Sequence, residues 1–212
     1  MARIDHLVIA GTNVDTEVAR IAALTGVTCG RGGQHHLWGT HNWLASLGTS
    51  FLEVIGVDPE QPEPAQPRPF GIDDMDPSAP FSMVTFAIQP SDDQTAEELV
   101  SGFTAAGFDP GPLTAGQRQT PDGQTLTWRL TSPSALHHDG LVPFILDWGA
   151  TAHPSTTTTP GLAIKSLVVE HPNPAPITEL YASVGLDVAV HEGPAAAIRL
   201  EVDSPRGPVW LS

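Results

Sequence analysis

The chain is 212 residues long, with 40% hydrophobic and 16% charged residues: enough apolar material for a core, and too little charge for a disordered polymer. Its formal net charge of -15 repels a phosphate backbone and disfavours nucleic-acid partners. No apolar run approaches the ~20 residues of a membrane helix, the N-terminus lacks a secretory pattern, and the single cysteine, Cys29, excludes an internal disulfide. These features predict a soluble cytoplasmic protein.

Ile4 to Ala10 is a short apolar run rich in β-branched residues and predicts a strand. Val14, Val18, Ile21, Ala22 and Leu24 recur near helical spacing, with Asn13 or Asp15 as cap and Gly26 as stop. A glycine-rich stretch from Gly30 to Gly39 precedes two further strand-like runs, Asn42 to Leu47 and Phe51 to Val57. One short strand within that stretch would make the order β-α-β-β-β, occupying residues 1–58. Residues 59–80 are dense in proline and acidic side chains, and read as a surface loop or linker outside the core.

The order then restarts. Phe81 to Gln89 predicts a strand, and Ser91 opens a helix with Asp92 and Asp93 in its first turn, where the helix dipole favours negative charge. Strand-like segments follow near Gly116 to Gln119, Leu126 to Thr131 and Leu141 to Trp148, with a turn at Pro121-Asp122-Gly123 and a solvated pair, His137-His138. This second unit covers residues 81–154. After a polar linker at 155–161, residues 162–212 restart once more, with a helix from Ala175 to Val184 stopped by Gly185. Three restarts of one unit predict an α+β fold of repeated βαβββ modules with curved mixed sheets. An odd module leaves a sheet face for the linker, an asymmetric packing or a second chain to cover, so a homodimer is possible.

Several segments carry a family likeness. Ile4-Asp5-His6-Leu7-Val8-Ile9 resembles the first strand of vicinal-oxygen-chelate proteins, the glyoxalase, bleomycin-resistance and extradiol-dioxygenase superfamily. Phe51-Leu52-Glu53-Val54-Ile55-Gly56 resembles the fourth strand of the same module. Gly32-Gly33-Gln34-His35 with Trp38-Gly39-Thr40-His41-Asn42, Trp128-Arg129-Leu130 and Pro143 to Gly149 resemble the glyoxalase-like domain branch. The resemblance implies a cup that takes a small oxygenated metabolite. It also implies a divalent ion (Zn, Ni, Mn, Fe or Co) acting as a Lewis acid. His6, Glu53 and His35 are the metal-ligand candidates, with Glu53 also a base for a carbon-bound proton.

The resemblance thereby implies a metal-dependent lyase, isomerase or dioxygenase-like enzyme. The alternative is a metal-free binding or resistance protein using the same cup. Trp38, Asn42, Arg129 and Trp148 are the candidate substrate contacts. Arg129 on its strand suits an anionic substrate or an ion pair with Asp147, and Trp128 suits core packing. By pattern, the counterparts of His6 and Glu53 fall near Thr85 or Ala87 and near Leu146 or Asp147 in the second unit, and near Ser166 and Trp210 in the third. Neighbouring strand residues face opposite ways, so Asp5 is not expected to partner His6.

Overall fold

The computed structural model describes residues 1–120, 122–132 and 137–212. Pro121 of the expected turn and the side chains of His137 and His138 lie outside what is described. The first eight strands close into a barrel. They are β1 (Arg3–Gly11), β2 (Gly30–His35), β3 (Thr40–Ser46), β4 (Phe51–Val57), β5 (Ser82–Gln89), β6 (Thr114–Gln119), β7 (Thr125–Leu130) and β8 (Phe144–Asp147), in the order β1-β4-β3-β2-β6-β7-β8-β5. Helices α1 (Val14–Thr25) and α2 (Ala96–Ala105) follow β1 and β5. A four-stranded sheet continues the chain, with β9 (Ala163–His171), α3 (Ala175–Val184), β10 (Val190–Glu192), β11 (Ala197–Asp203) and β12 (Val209–Leu211), in the order β10-β9-β11-β12. The expected class of βαβββ units with curved mixed sheets is therefore what forms. No helix among the described residues is long and apolar enough to cross a membrane.

Strand alternation sorts the apolar residues into two clusters. Leu7 and Ile9 of β1, Leu52 and Val54 of β4, and Phe86 and Ile88 of β5 point outward. They join Val18 and Ile21 of α1, Leu99 and Phe103 of α2, and Leu180 and Tyr181 of α3, so one core binds the barrel's outside to its helices and to the second sheet. The Tyr181 hydroxyl donates to the Leu141 carbonyl at 2.6 Å, which satisfies its one polar atom inside that core. The opposite residues, among them Val8, Ala10, Ile55, Ala87, Trp128 and Phe144, point inward and line the barrel.

Two expectations need correction. The second helix begins at Ala96, not at Ser91. Thr95 accepts from the Glu98 amide while the Glu98 carboxylate accepts from the Thr95 amide, and this reciprocal box outcompetes Ser91, whose hydroxyl is engaged with Asp93. Thr95→Ala is expected to cost about 1 kcal/mol in urea denaturation and Ser91→Ala less than about 0.5 kcal/mol. The stretch 59–80 also lies partly in the core. Phe70 and Ile72, in a kinked segment at Pro69–Asp74, are buried in the inner cluster, and Phe70 lines the space inside the barrel. Arg68 anchors the segment through Glu63 and Asp73.

Candidate functional site

The inward residues enclose about 480 Å³ of empty space, including its mouth. His6, His35, Trp38, Asn42, Glu53 and Trp148 all line it, so six of the seven residues singled out in the sequence meet in one place. His6 and Glu53 come from β1 and β4, which run parallel with Val8 beside Glu53. His6 Nε2 lies 3.4 Å from Glu53 Oε2. Asn42 of β3 donates from Nδ2 to Glu53 Oε1 at 2.6 Å. His6 stacks on Phe51 with ring centres 4.6 Å apart and meets Phe144 edge-on at 5.4 Å, which fixes its ring plane.

Asp5 is the main surprise. It is fully buried, and its Oδ1 accepts from His6 Nδ1 at 2.6 Å. Simple alternation would send it to the other face of the sheet. The pairing of β1 with β5 shifts register between Ile4 and His6, so Asp5 is a bulged residue facing no partner of its own. A bulge re-aims side chains, and here it brings two successive residues into one network. Asp5 Oδ2 also accepts from Trp148 Nε1 at 2.8 Å and lies 3.2 Å from His153 Nε2.

Charge follows from these contacts. Burial opposes a positive imidazole, but the carboxylates of Asp5 and Glu53 on its two nitrogens win, and the pKa of His6 rises to about 9. Burial likewise opposes charge on Asp5 and Glu53, and their hydrogen bonds to histidine hold both below the usual carboxylate range. His35 has no such partner. Burial drives its pKa down to about 4 and leaves it neutral, with Nδ1 3.1 Å from the Thr40 hydroxyl.

Arg129 does not join the site. Trp128 and Leu130 point into the barrel, so the residue between them must point out. There it is half-exposed, bonded to Glu97 at 2.6 Å and to Asp147 at 3.1 Å. The arginine that does line the cavity is Arg118 of β6, only 6% exposed. Its guanidinium donates to the Gly32 carbonyl. The segment Gln117-Arg118-Gln119 carries no apolar alternation, so the sequence offers little to mark it.

The glyoxalase-like domain family model matches residues 4–185. The chain belongs to the glyoxalase-like domain family. A crystal structure of a hypothetical protein from Staphylococcus aureus superposes with a TM-score of 0.63 at 12% identity, over 99% of this chain and 84% of that one, and shows the same fold. Methylmalonyl-CoA epimerase in complex with methylmalonyl-CoA and NH4+ gives 0.44 at 17% identity over 73% and 99%; the Mycobacterium tuberculosis epimerase gives 0.39 at 12% over 68% and 84%. No curated protein matches the chain in sequence.

The register of this glyoxalase-like barrel tests the donor set of the expected metal centre. His6 pairs with Ala87 and Val8 with Thr85, so a two-fold exchanging β1 and β5 superposes His6 on Thr85 and Val8 on Ala87. Val8 lies beside Glu53 and Ala87 beside Phe144, so Phe144 holds the position of Glu53. It is neither Leu146 nor Asp147. Thr85 donates to the Gly140 carbonyl, and Phe144 offers no donor atom. Both nitrogens of His6 face carboxylates, and no three His, Cys, Asp or Glu residues among the described ones converge on a metal-sized site. The residues do not fit a centre completed by the second module.

Proposed function

We propose that the protein is an enzyme of the isomerase or lyase type that moves a proton on a small oxygenated metabolite held inside the barrel. The observation that carries this reading is Glu53: a buried carboxylate in an apolar chamber, held by His6 on one oxygen and by Asn42 on the other. A carboxylate is expensive to bury, and one that faces a cavity is positioned to meet a substrate. In the proposed step Glu53 takes a proton from carbon next to a carbonyl. The electron pair left on carbon moves to the carbonyl oxygen, which accepts a hydrogen bond from the His6 imidazolium. Return of the proton from Glu53 to the former carbonyl carbon, while a hydroxyl on the first carbon passes its own proton to the oxygen beside His6 and becomes the new carbonyl, completes an isomerisation. The 3.4 Å contact between His6 and Glu53 is long for a charged hydrogen bond, so a substrate oxygen can take its place and leave Glu53 the stronger base.

A second reading has its own support. Phe51, Phe70, Phe144, Trp38, Trp128 and Trp148 make most of the lining apolar, which suits plain sequestration of a ligand. Solvent exchange separates the two. Small carbonyl compounds that stabilise the protein thermally are incubated with it in heavy water, and deuterium at carbon is followed by NMR. The enzyme reading expects incorporation that falls by about 100-fold or more in Glu53→Gln. Binding without incorporation overturns it in favour of sequestration.

A further inference from the structure

The cavity holds a buried cation that the proton-transfer step does not use. Of the eight arginines in the chain, Arg3, Arg20, Arg31, Arg68, Arg129 and Arg199 each have a carboxylate within ion-pair distance. Among the described residues Arg118 and Arg206 have none; Arg206 is exposed on the surface, whereas Arg118 is far more buried than most of the arginines. Its contact is the Gly32 carbonyl across the β2–β6 seam. A guanidinium carries five N–H donors; the bond to Gly32 uses one of them, and the residue lines the cavity. Burying an unpaired charge is costly. The cavity's carboxylates do not relieve it at contact distance: Asp5 is engaged by His6, His153 and Trp148, and Glu53 by His6 and Asn42.

A second donor lies on the same strand face. Trp128 is 9% exposed, and its indole N–H has no acceptor among the described residues. A side chain on Gly116 would place its Cβ 2.3 Å from that nitrogen, so the indole lies over the inner face of β6 at Gly116. Arg118 is two residues along the same strand and shares that face. One acceptor is also unsatisfied. Asn42 Oδ1 is buried without a donor among the described residues, and it lies where a side chain on Gly32, the residue whose carbonyl takes Arg118, would have to be.

We propose that Arg118 and the Trp128 indole N–H form an anion subsite, and that the cavity takes a small carboxylic acid with an apolar body and a hydroxyl near the carboxylate. The carboxylate lies on Arg118 and Trp128, the apolar body lies among the aromatic rings, and the hydroxyl donates to Asn42 Oδ1. The assignment rests on the proton-transfer reading only in taking the barrel interior as the substrate site, and it names the substrate class that reading leaves open.

Calorimetric titration with mandelate and with the neutral mandelamide tests it, in the wild-type chain and in Arg118→Gln, Arg118→Lys and Trp128→Phe. The expected result is mandelate bound at least about tenfold tighter than mandelamide, because a desolvated guanidinium discriminates charge and paired geometry. Arg118→Gln is expected to lose about 20-fold or more for mandelate and less than about threefold for mandelamide. Arg118→Lys, which keeps the charge and loses the fork, is expected to fall between and to remain informative if the glutamine variant does not fold. Trp128→Phe is expected to lose about three- to fivefold. Arg129→Gln, on the outer face, is the unchanged control.

Equal affinity for acid and amide, equal losses for both in Arg118→Gln, or no binding of the acid overturns the subsite. The two readings fail separately. Deuterium incorporation into neutral carbonyl compounds with no preference for acids sinks the subsite and leaves proton transfer standing. Arg118-dependent acid binding without incorporation does the reverse.

Discussion

Replacing His6 with alanine is expected to destabilise the protein by about 3–5 kcal/mol near pH 6, because it strands two buried carboxylates, Asp5 and Glu53, without their shared cation. The loss depends on pH in a stated direction. The pKa of His6 is raised from 6.5 to about 9 in the folded chain. A group whose pKa is raised on folding stabilises fully below its unfolded pKa, and that contribution disappears as pH rises through the folded value. The wild-type chain should therefore lose about 3 kcal/mol between about pH 6.5 and pH 9 from this group. The alanine variant lacks that fall, so the gap between the two narrows by a similar amount. Asp5 and Glu53, with lowered pKa values, act in the opposite sense and give up their contribution as pH falls below the carboxylate range. Urea denaturation at about pH 6 and about pH 9.5 reads the difference directly. A constant gap at both values would show that His6 is not charged in the native barrel.

Phe70→Ala is expected to cost about 3–5 kcal/mol, the size of a core truncation and far above the ~0.5 kcal/mol of a surface-loop change. Phe70 is 4% exposed and meets Phe144 with ring centres 5.9 Å apart inside the barrel. Phe70→Leu should recover more than half of that loss, since it refills most of the volume. Alanine at a cost below about 1 kcal/mol would return the stretch to the status of a solvated linker.

The elements that were legible in the sequence are those whose signals are local. Apolar runs bounded by glycine and the helical spacing of Val14, Val18 and Ile21 depend on neighbours in the chain. His6 and Glu53 could be brought together because each is an odd polar residue within an apolar strand. Asp5 could not be placed, because a bulge exists only with respect to a pairing partner, and that partner, β5, lies some eighty residues away. Arg118 was hidden for a related reason: its strand shows its inward face through Gly116, a residue that marks no face in the sequence. Arg129 could have been excluded. Once Trp128 is assigned to the interior, period-two alternation sends its neighbour outward. The Phe70-Gly71-Ile72 run was also readable, as an apolar pair inside an otherwise polar proline-rich stretch.

The barrel's two module boundaries are unequal. β1 and β5 meet along almost their full lengths, from Arg3 with Gln89 to Ala10 with Ser82. β2 and β6 meet in register only at Gln34 and Gln119, and Arg118 crosses that line to reach Gly32. Mechanically this is a clamshell with a long spine and a short clasp. The spine carries Asp5 and His6, so the buried carboxylate–imidazole network sits along the longer of the two seams. The clasp carries Arg118, so the group that reaches across the weak side is also one that faces the chamber.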